Sequence, residues 1–203
     1  MMRLLLVRHG ETDLNAQRRF QGRLDAPLNA QGWAQAQALP GCLALEPIQV
    51  AYVSDLQRAQ QTLALALAGR DVTVMVDPRL REINFGAWEG LTYADIQAQD
   101  GAALAAWEAD MLHHAPPGGE TLRQFAWRVE AALAEMQARH VDGETVLVVA
   151  HGGVLQLMLC AALRLPPTAY WQFHLKPASL SEIAFYEAGA ILNRLNVTCF
   201  DNR

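Results

Sequence analysis

The chain has 203 residues, 52% of them hydrophobic, with three cysteines and a net charge of −5. These values suit a globular α/β chain able to bury its own core, and exclude a disordered segment or a small disulfide-stapled scaffold. The acidic balance argues against a nucleic-acid partner, which would require a basic face, and no stretch reaches the about 18 consecutive apolar residues that span a bilayer. The opening Met1-Met2-Arg3 and the apolar residues after it superficially resemble a signal peptide. Arg8, His9 and Glu11 arrive too early for that, so residues 3–9 are predicted to form a strand. Asn29 then caps an alanine-rich helix expected to stop near Pro40-Gly41. Between strand and helix lies a long polar loop, Asn15 to Asp25, of the kind that often carries function. Val50 to Val53 reads as a short strand, followed by a helix from Asp55 to about Ala68, capped by Ser54 and carrying Arg58 in its first turn. Val72 to Val76 is a further strand, leading into Arg79-Leu80-Arg81-Glu82.

From Thr92 to about His140 the pattern is helical, broken at Ala115-Pro116-Pro117-Gly118-Gly119, and reads as a two-helix insertion beside the sheet. Trp88, Trp107 and Trp127 are expected to pack in the core or between helices. A strand at 146–150, a helix from Val154 to about Leu163, and a hairpin of Glu182 to Tyr186 with Ile191 to Val197 complete the chain. The expected architecture is a single domain over 1–203: a three-layer α/β/α sandwich with a mostly parallel central sheet and a small helical insertion, about 92–140, beside the active site. Cys42, Cys160 and Cys199 are odd in number and scattered, which indicates neither a disulfide framework nor a zinc site and suits a reducing, cytoplasmic setting.

Two of the predicted strands end alike. Leu4-Leu5-Leu6-Val7 runs into Arg8-His9-Gly10, and Val146-Leu147-Val148-Val149 runs into Ala150-His151-Gly152. An open α/β sheet delivers reactive side chains at its carboxyl edge, so both histidines are expected at one crevice. Arginine supplies every basic residue except Lys176, and Arg8, Arg18, Arg19 and Arg23 crowd around the first histidine. Because guanidinium groups bind phosphate bidentately, the substrate expected is a small phosphorylated metabolite. A neutral imidazole is a competent nucleophile toward phosphorus, which makes His9 the nucleophile. His151 and Arg58 would stabilise the charge on the transferring phosphoryl group. Glu82 would protonate the leaving oxygen and later activate water, unless it merely pairs with Arg79 or Arg81. A metal reading built on His113-His114 matches no zinc spacing, and neither metal nor cofactor is expected.

Taken together, Leu6-Val7-Arg8-His9-Gly10-Glu11-Thr12, Ser54-Asp55-Leu56-Gln57-Arg58-Ala59-Gln60-Gln61-Thr62, Leu80-Arg81-Glu82-Ile83-Asn84-Phe85-Gly86 and Ala150-His151-Gly152-Gly153 resemble the histidine phosphatase superfamily, also called phosphoglycerate mutase-like. The resemblance spans nearly the whole chain. It implies that His9 is phosphorylated, that Arg8, Arg58 and His151 complete the phosphate pocket, and that Glu82 is the proton donor. It also implies phosphate or substrate contacts from Asn15, Gln21, Gly22 and Gly152. The compact segment after Glu82 and the Phe85-Gly86-Ala87-Trp88-Glu89-Gly90 run resemble the phosphatase branch rather than the mutases. The segments 106–121 and 165–173 look like those of bacterial α-ribazole phosphatases of cobalamin assembly. A broad-specificity phosphatase, a phosphoglycerate mutase or a phosphate-recognising module without turnover are the alternatives, and the expected state is a monomer or homodimer.

Overall fold

The computed structural model describes residues 2–140 and 143–200; Met1, part of the N-terminal reading, lies outside them. Six strands, β1 (Met2–Arg8), β2 (Ile48–Val53), β3 (Thr73–Val76), β4 (Thr145–Ala150), β5 (Ser179–Tyr186) and β6 (Gly189–Thr198), form one sheet in the order β3-β2-β4-β1-β5-β6. β3, β2, β4 and β1 pair in parallel, whereas β5 runs antiparallel to both β1 and β6. This is the mixed, mostly parallel α/β architecture expected.

Because side chains alternate across a strand, the apolar runs divide between the two faces. Leu4, Leu6, Val50, Tyr52, Val146 and Val148 meet helices α5 (Leu122–Arg139) and α6 (Gly152–Ala162) through Phe125, Val129, Leu133, Val154 and Met158. Leu5, Val7, Ala51, Val53, Leu147 and Val149 meet α2 (Ala30–Leu43) and α3 (Gln57–Leu67) through Ala36, Leu39, Ala59 and Leu63. Fully burying one such leucine or valine contributes about 1.5–3 kcal/mol, so the continuous apolar runs are what commit β1 and β4 to the middle of the sandwich.

Several expectations are corrected. α2 does not stop at Pro40 but runs to Leu43; a proline this near the end of a helix removes little of its hydrogen bonding, and Leu43 is wholly buried. Ser54 does not cap α3, whose N-cap is Leu56 with no side-chain cap bond. The segment 92–140 divides. Only α4 (Tyr93–Ala109) stands apart, on a small cluster of Trp88, Ile96 and Leu104, while α5 belongs to the main core. Trp88 and Trp107 pack edge to face at 5.6 Å between ring centroids, as expected, but Trp127 is 74% exposed.

The cysteine reading is overturned as well. Cys42 and Cys199 form a disulfide across 157 residues of sequence, with Cα atoms 5.9 Å apart, and Cys160 alone is free. Neither spacing nor an odd count could reveal a pair brought together only when the segment after β6 packs against α2. Among the described residues, no helix is long and apolar enough to cross a membrane.

Candidate active site

The register of the sheet builds the site. Arg8 pairs with Ala150 across β1 and β4, so the next residue on each strand, His9 and His151, emerges at the same edge. His9 N–H donates to the carbonyl of Ala150 at 2.9 Å, and the two imidazole centroids lie 5.1 Å apart. α3 begins just past β2 and brings Arg58, which is fully buried, to this edge.

Hydrogen bonding sets the state of each ring. The carbonyl of Gly10, which can only accept, lies 2.7 Å from His9 Nδ1. Nδ1 therefore carries the proton of the neutral ring, and Nε2 holds the free electron pair. Burial first, then Arg58 and Arg8, hold the imidazole well below the ordinary histidine range, so His9 is neutral at pH 7. His151 is arranged oppositely. Arg58 Nε donates to its Nδ1 at 3.1 Å, so Nε2 carries the proton and donates to Ser54 Oγ at 2.9 Å. Both ring nitrogens are thus engaged inside the protein. The expectation that His151 donates directly to a bound phosphoryl group is not what the geometry displays; the ring instead anchors Arg58.

Arg58 also donates to the carbonyls of Leu24 at 2.7 Å and Gly22 at 2.8 Å. Gly22 turns its carbonyl inward from a left-handed backbone, φ +52°, a conformation glycine adopts without steric cost. These three bonds leave two guanidinium N–H groups, and burial lowers the group only to about 10, so it stays cationic at pH 7. Arg8 donates through Nη1 to the carbonyl of Leu175 at 2.6 Å, while its buried Nε has no hydrogen-bond partner. Gly152 lies alongside, where a Cβ would come 3.5 Å from that Nε.

The long loop supplies the other wall. Thr12 caps the short helix α1 (Asp13–Ala16), and Asn15 completes the capping box. Gln21 Oε1 accepts from Thr12 Oγ1 at 3.1 Å and Asn15 Nδ2 at 3.2 Å, which leaves its buried Nε2 unpartnered. A buried donor without an acceptor costs about 1–3 kcal/mol. Two such donors, Arg8 Nε and Gln21 Nε2, thus stand beside the same cavity.

Arg8, His9, Asn15, Gln21, Gly22, Arg58 and Glu82 line one cavity of about 280 Å³, whose remaining walls are Arg18, Arg19, Phe20 and Phe85. Glu82 does not pair with its neighbours. Arg79 binds Asp77 and Glu135, and Arg81 binds Asp55. Glu82 Oε2 instead accepts from the backbone N–H of Gly153 at 3.1 Å, at the start of α6, and Oε1 accepts from Ile83 at 2.9 Å. Burial and the charge of Glu82 push the Tyr170 phenol up to about 12. His151, which is fully buried, and Gly152 are not among the lining residues. Sequence reasoning missed Ser54 as a partner of His151, Gly153 as a partner of Glu82, and the two phenylalanines. Ser54 closes an apolar strand as the histidines do, the one signal that pointed to the edge rather than to a cap.

His113 and His114 lie outside this constellation, on an exposed turn where His113 bonds Asp110 at 2.6 Å and Arg123. Among the described residues, no group of three or more His, Cys, Asp or Glu side chains is placed to hold a metal ion.

A neutral imidazole with an open Nε2, two arginines and a carboxylate around one small cavity can support transfer of a phosphoryl group to nitrogen and then to water. Comparison with known proteins agrees. The model of the histidine phosphatase superfamily (branch 1) matches residues 4–198. The adenosylcobalamin/alpha-ribazole phosphatase of Salmonella typhimurium is 36% identical over 195 residues, 96% of each chain. Phosphoserine phosphatase 1 of Hydrogenobacter thermophilus is 32% identical over 199 residues, 98% of this chain and 94% of its own. Among solved structures, the alpha-ribazole phosphatase from Shigella flexneri superposes with a TM-score of 0.90 at 34% identity, covering 97% of this chain and 96% of that one. The match over nearly the full length, on the same fold, means that this chain belongs to the histidine phosphatase superfamily, branch 1, and is a phosphatase.

Proposed function

We propose that this phosphatase hydrolyses α-ribazole-5′-phosphate through a phosphohistidine on His9. The observation that carries the mechanism is the bond between His9 Nδ1–H and the Gly10 carbonyl, which leaves Nε2 as the electron-pair donor beside two guanidinium groups. Nε2 attacks phosphorus, the phosphorus–oxygen ester bond breaks, and the departing oxygen takes a proton from the Glu82 carboxylic acid. The Glu82 carboxylate then removes a proton from water, which attacks the phosphohistidine, releasing phosphate and restoring His9. Arg8, Arg58 and Gln21 would hold the phosphoryl oxygens, with Asn15 and Gly22 shaping the wall and Gly152 leaving room for Arg8. His151 is a positioning residue that orients Arg58.

The choice of substrate is supported by the names of the Salmonella and Shigella relatives. The phosphoserine phosphatase among the relatives makes a generalist the alternative. We place the enzyme in the cytoplasm as a monomer or homodimer.

The test is phosphate release from α-ribazole phosphate, 3-phosphoglycerate, phosphoserine and a panel of sugar and nucleotide monophosphates. A preference of about 100-fold in kcat/KM for α-ribazole phosphate, about 2.7 kcal/mol of discrimination, is expected. A flat profile would mean a generalist phosphatase, and isomerisation of 3-phosphoglycerate without net phosphate release would mean a mutase.

A further inference from the structure

Phe20 and Phe85 are the two apolar side chains among the residues lining the His9 cavity. Their rings meet edge to face at 4.9 Å between centroids, and each lies 6.4 Å from the ring of Trp107. Trp107 in turn rests on Trp88, which is buried. The backbone beneath the rings is fastened. Phe20 N–H donates to Leu91 O at 2.9 Å, its carbonyl accepts from Gly90 at 2.7 Å, and Phe85 N–H donates to Glu89 Oε1 at 3.2 Å. One wall of an otherwise polar cavity is therefore a rigid aromatic surface, already ordered before anything binds.

Binding the phosphoryl group gives such a wall no role. Half-buried apolar rings do not stabilise an anion, and the polar donors of the cavity already serve that need. What remains beside a held phosphoryl group is the alcohol it leaves. We propose that Phe20 and Phe85 form the subsite for that alcohol, and that they select phosphomonoesters whose leaving group carries a flat aromatic ring, by stacking and apolar burial. The benzimidazole of α-ribazole phosphate is one such ring. The inference rests on the phosphatase reading of this site but not on that particular substrate. Its rival is on the same mouth: Arg18 and Arg19 also line the cavity and would favour a leaving group bearing a second anion.

Two substrate pairs decide it. 2-Phenylethyl phosphate and ethyl phosphate differ in the ring alone and leave as similar alcohols, so the ratio of their kcat/KM values reads the ring. That ratio is expected to be about tenfold or more, equivalent to about 1.4 kcal/mol. In Phe20→Leu it should fall about fivefold, mostly through KM, and Phe20→Tyr, which keeps the ring, should retain it. A ratio near one in the unchanged enzyme, a ratio unmoved by Phe20→Leu, or phosphoserine preferred over 2-phenylethyl phosphate overturns the inference. Should the variants not fold, inhibition of the unchanged enzyme by 2-phenylethylphosphonate and ethylphosphonate serves instead: about tenfold tighter inhibition by the first is expected, and equal inhibition overturns it. Failure of the two readings is separable. Rapid turnover of α-ribazole phosphate with no ring preference removes the aromatic subsite and keeps the substrate; a strong ring preference with slow α-ribazole phosphate turnover does the reverse.

Discussion

Gly153 donates its backbone N–H to Glu82 Oε2 at 3.1 Å, and a Cβ on Gly153 would lie 2.5 Å from Glu82 Oε1 and 2.9 Å from the Phe125 ring. The carboxyl group that faces the cavity is thus held against the first turn of α6. Gly153→Ala should displace it. Since a misplacement of about 1 Å can cost 100-fold, kcat is expected to fall about 10- to 100-fold, with about 1–3 kcal/mol lost to overpacking. Steady-state kinetics and urea unfolding of the variant check both. Full activity would mean that Glu82 needs no such support.

Glu82→Gln removes the proton donor and keeps the shape. Turnover of an alkyl phosphate is expected to drop about 10²- to 10⁴-fold, whereas nitrophenyl phosphate, whose leaving group departs without a proton, should lose far less. Equal losses for the two esters would remove Glu82 from the role.

His9→Ala should leave no phosphate on the protein. With labelled substrate and an alkaline quench, which preserves phosphohistidine, the unchanged enzyme is expected to retain label and the variant none. Label on the variant would move the nucleophile elsewhere.

His9 and His151 should also shape the stability of the protein toward acid. Burial, followed by Arg58, holds both imidazoles well below the ordinary histidine range, with Arg8 adding to each and Arg128 to His151. Below about pH 6.5 the unfolded chain protonates both rings while the folded chain does not, so the unfolded state binds more protons. Stability therefore falls as pH drops from about 6.5 toward 5, by up to about 1.4 kcal/mol per pH unit for each ring, and neither ring adds to the slope above that window. His9→Asn should remove about half of this slope in urea unfolding measured across the window. An unchanged slope would show that the two buried rings are not its source.

The Cys42–Cys199 bond closes a loop 157 residues apart in sequence. In the chain-entropy account such a closure stabilises by about 5 kcal/mol, by restricting the unfolded chain, and disulfides typically deliver about 2–4 kcal/mol. Reduction, or Cys42→Ser, should lower the Tm by several degrees. Phosphatase activity below the transition should be unchanged, because neither cysteine lines the His9 cavity. Identical melting with and without reductant would show that the bond does not form in solution.

The sequence alone determined the elements and the edge at which the chemistry gathers. Apolar runs ending in Arg8-His9-Gly10 and Ala150-His151-Gly152 commit β1 and β4 to the interior, and parallel pairing then brings their last residues level. That signal is local, since hydrophobic periodicity and capping residues act within a few positions of themselves. Tertiary structure decided what depends on segments far apart in the chain. Ser54 reads as a helix cap until the end of β4 brings His151 beside it, 97 residues away in sequence. Glu82 reads equally as a partner of Arg79 or Arg81 until Asp77, Glu135 and Asp55 claim those arginines and Gly153 takes its carboxylate. α5 reads as half of an insertion until its apolar stripe finds the sheet, and Cys42 has no visible partner until the segment after β6 arrives. Each hydrogen bond, ion pair or disulfide goes to whichever group the packed elements bring nearest. That choice is made by the fold as a whole and is written in no single stretch of sequence.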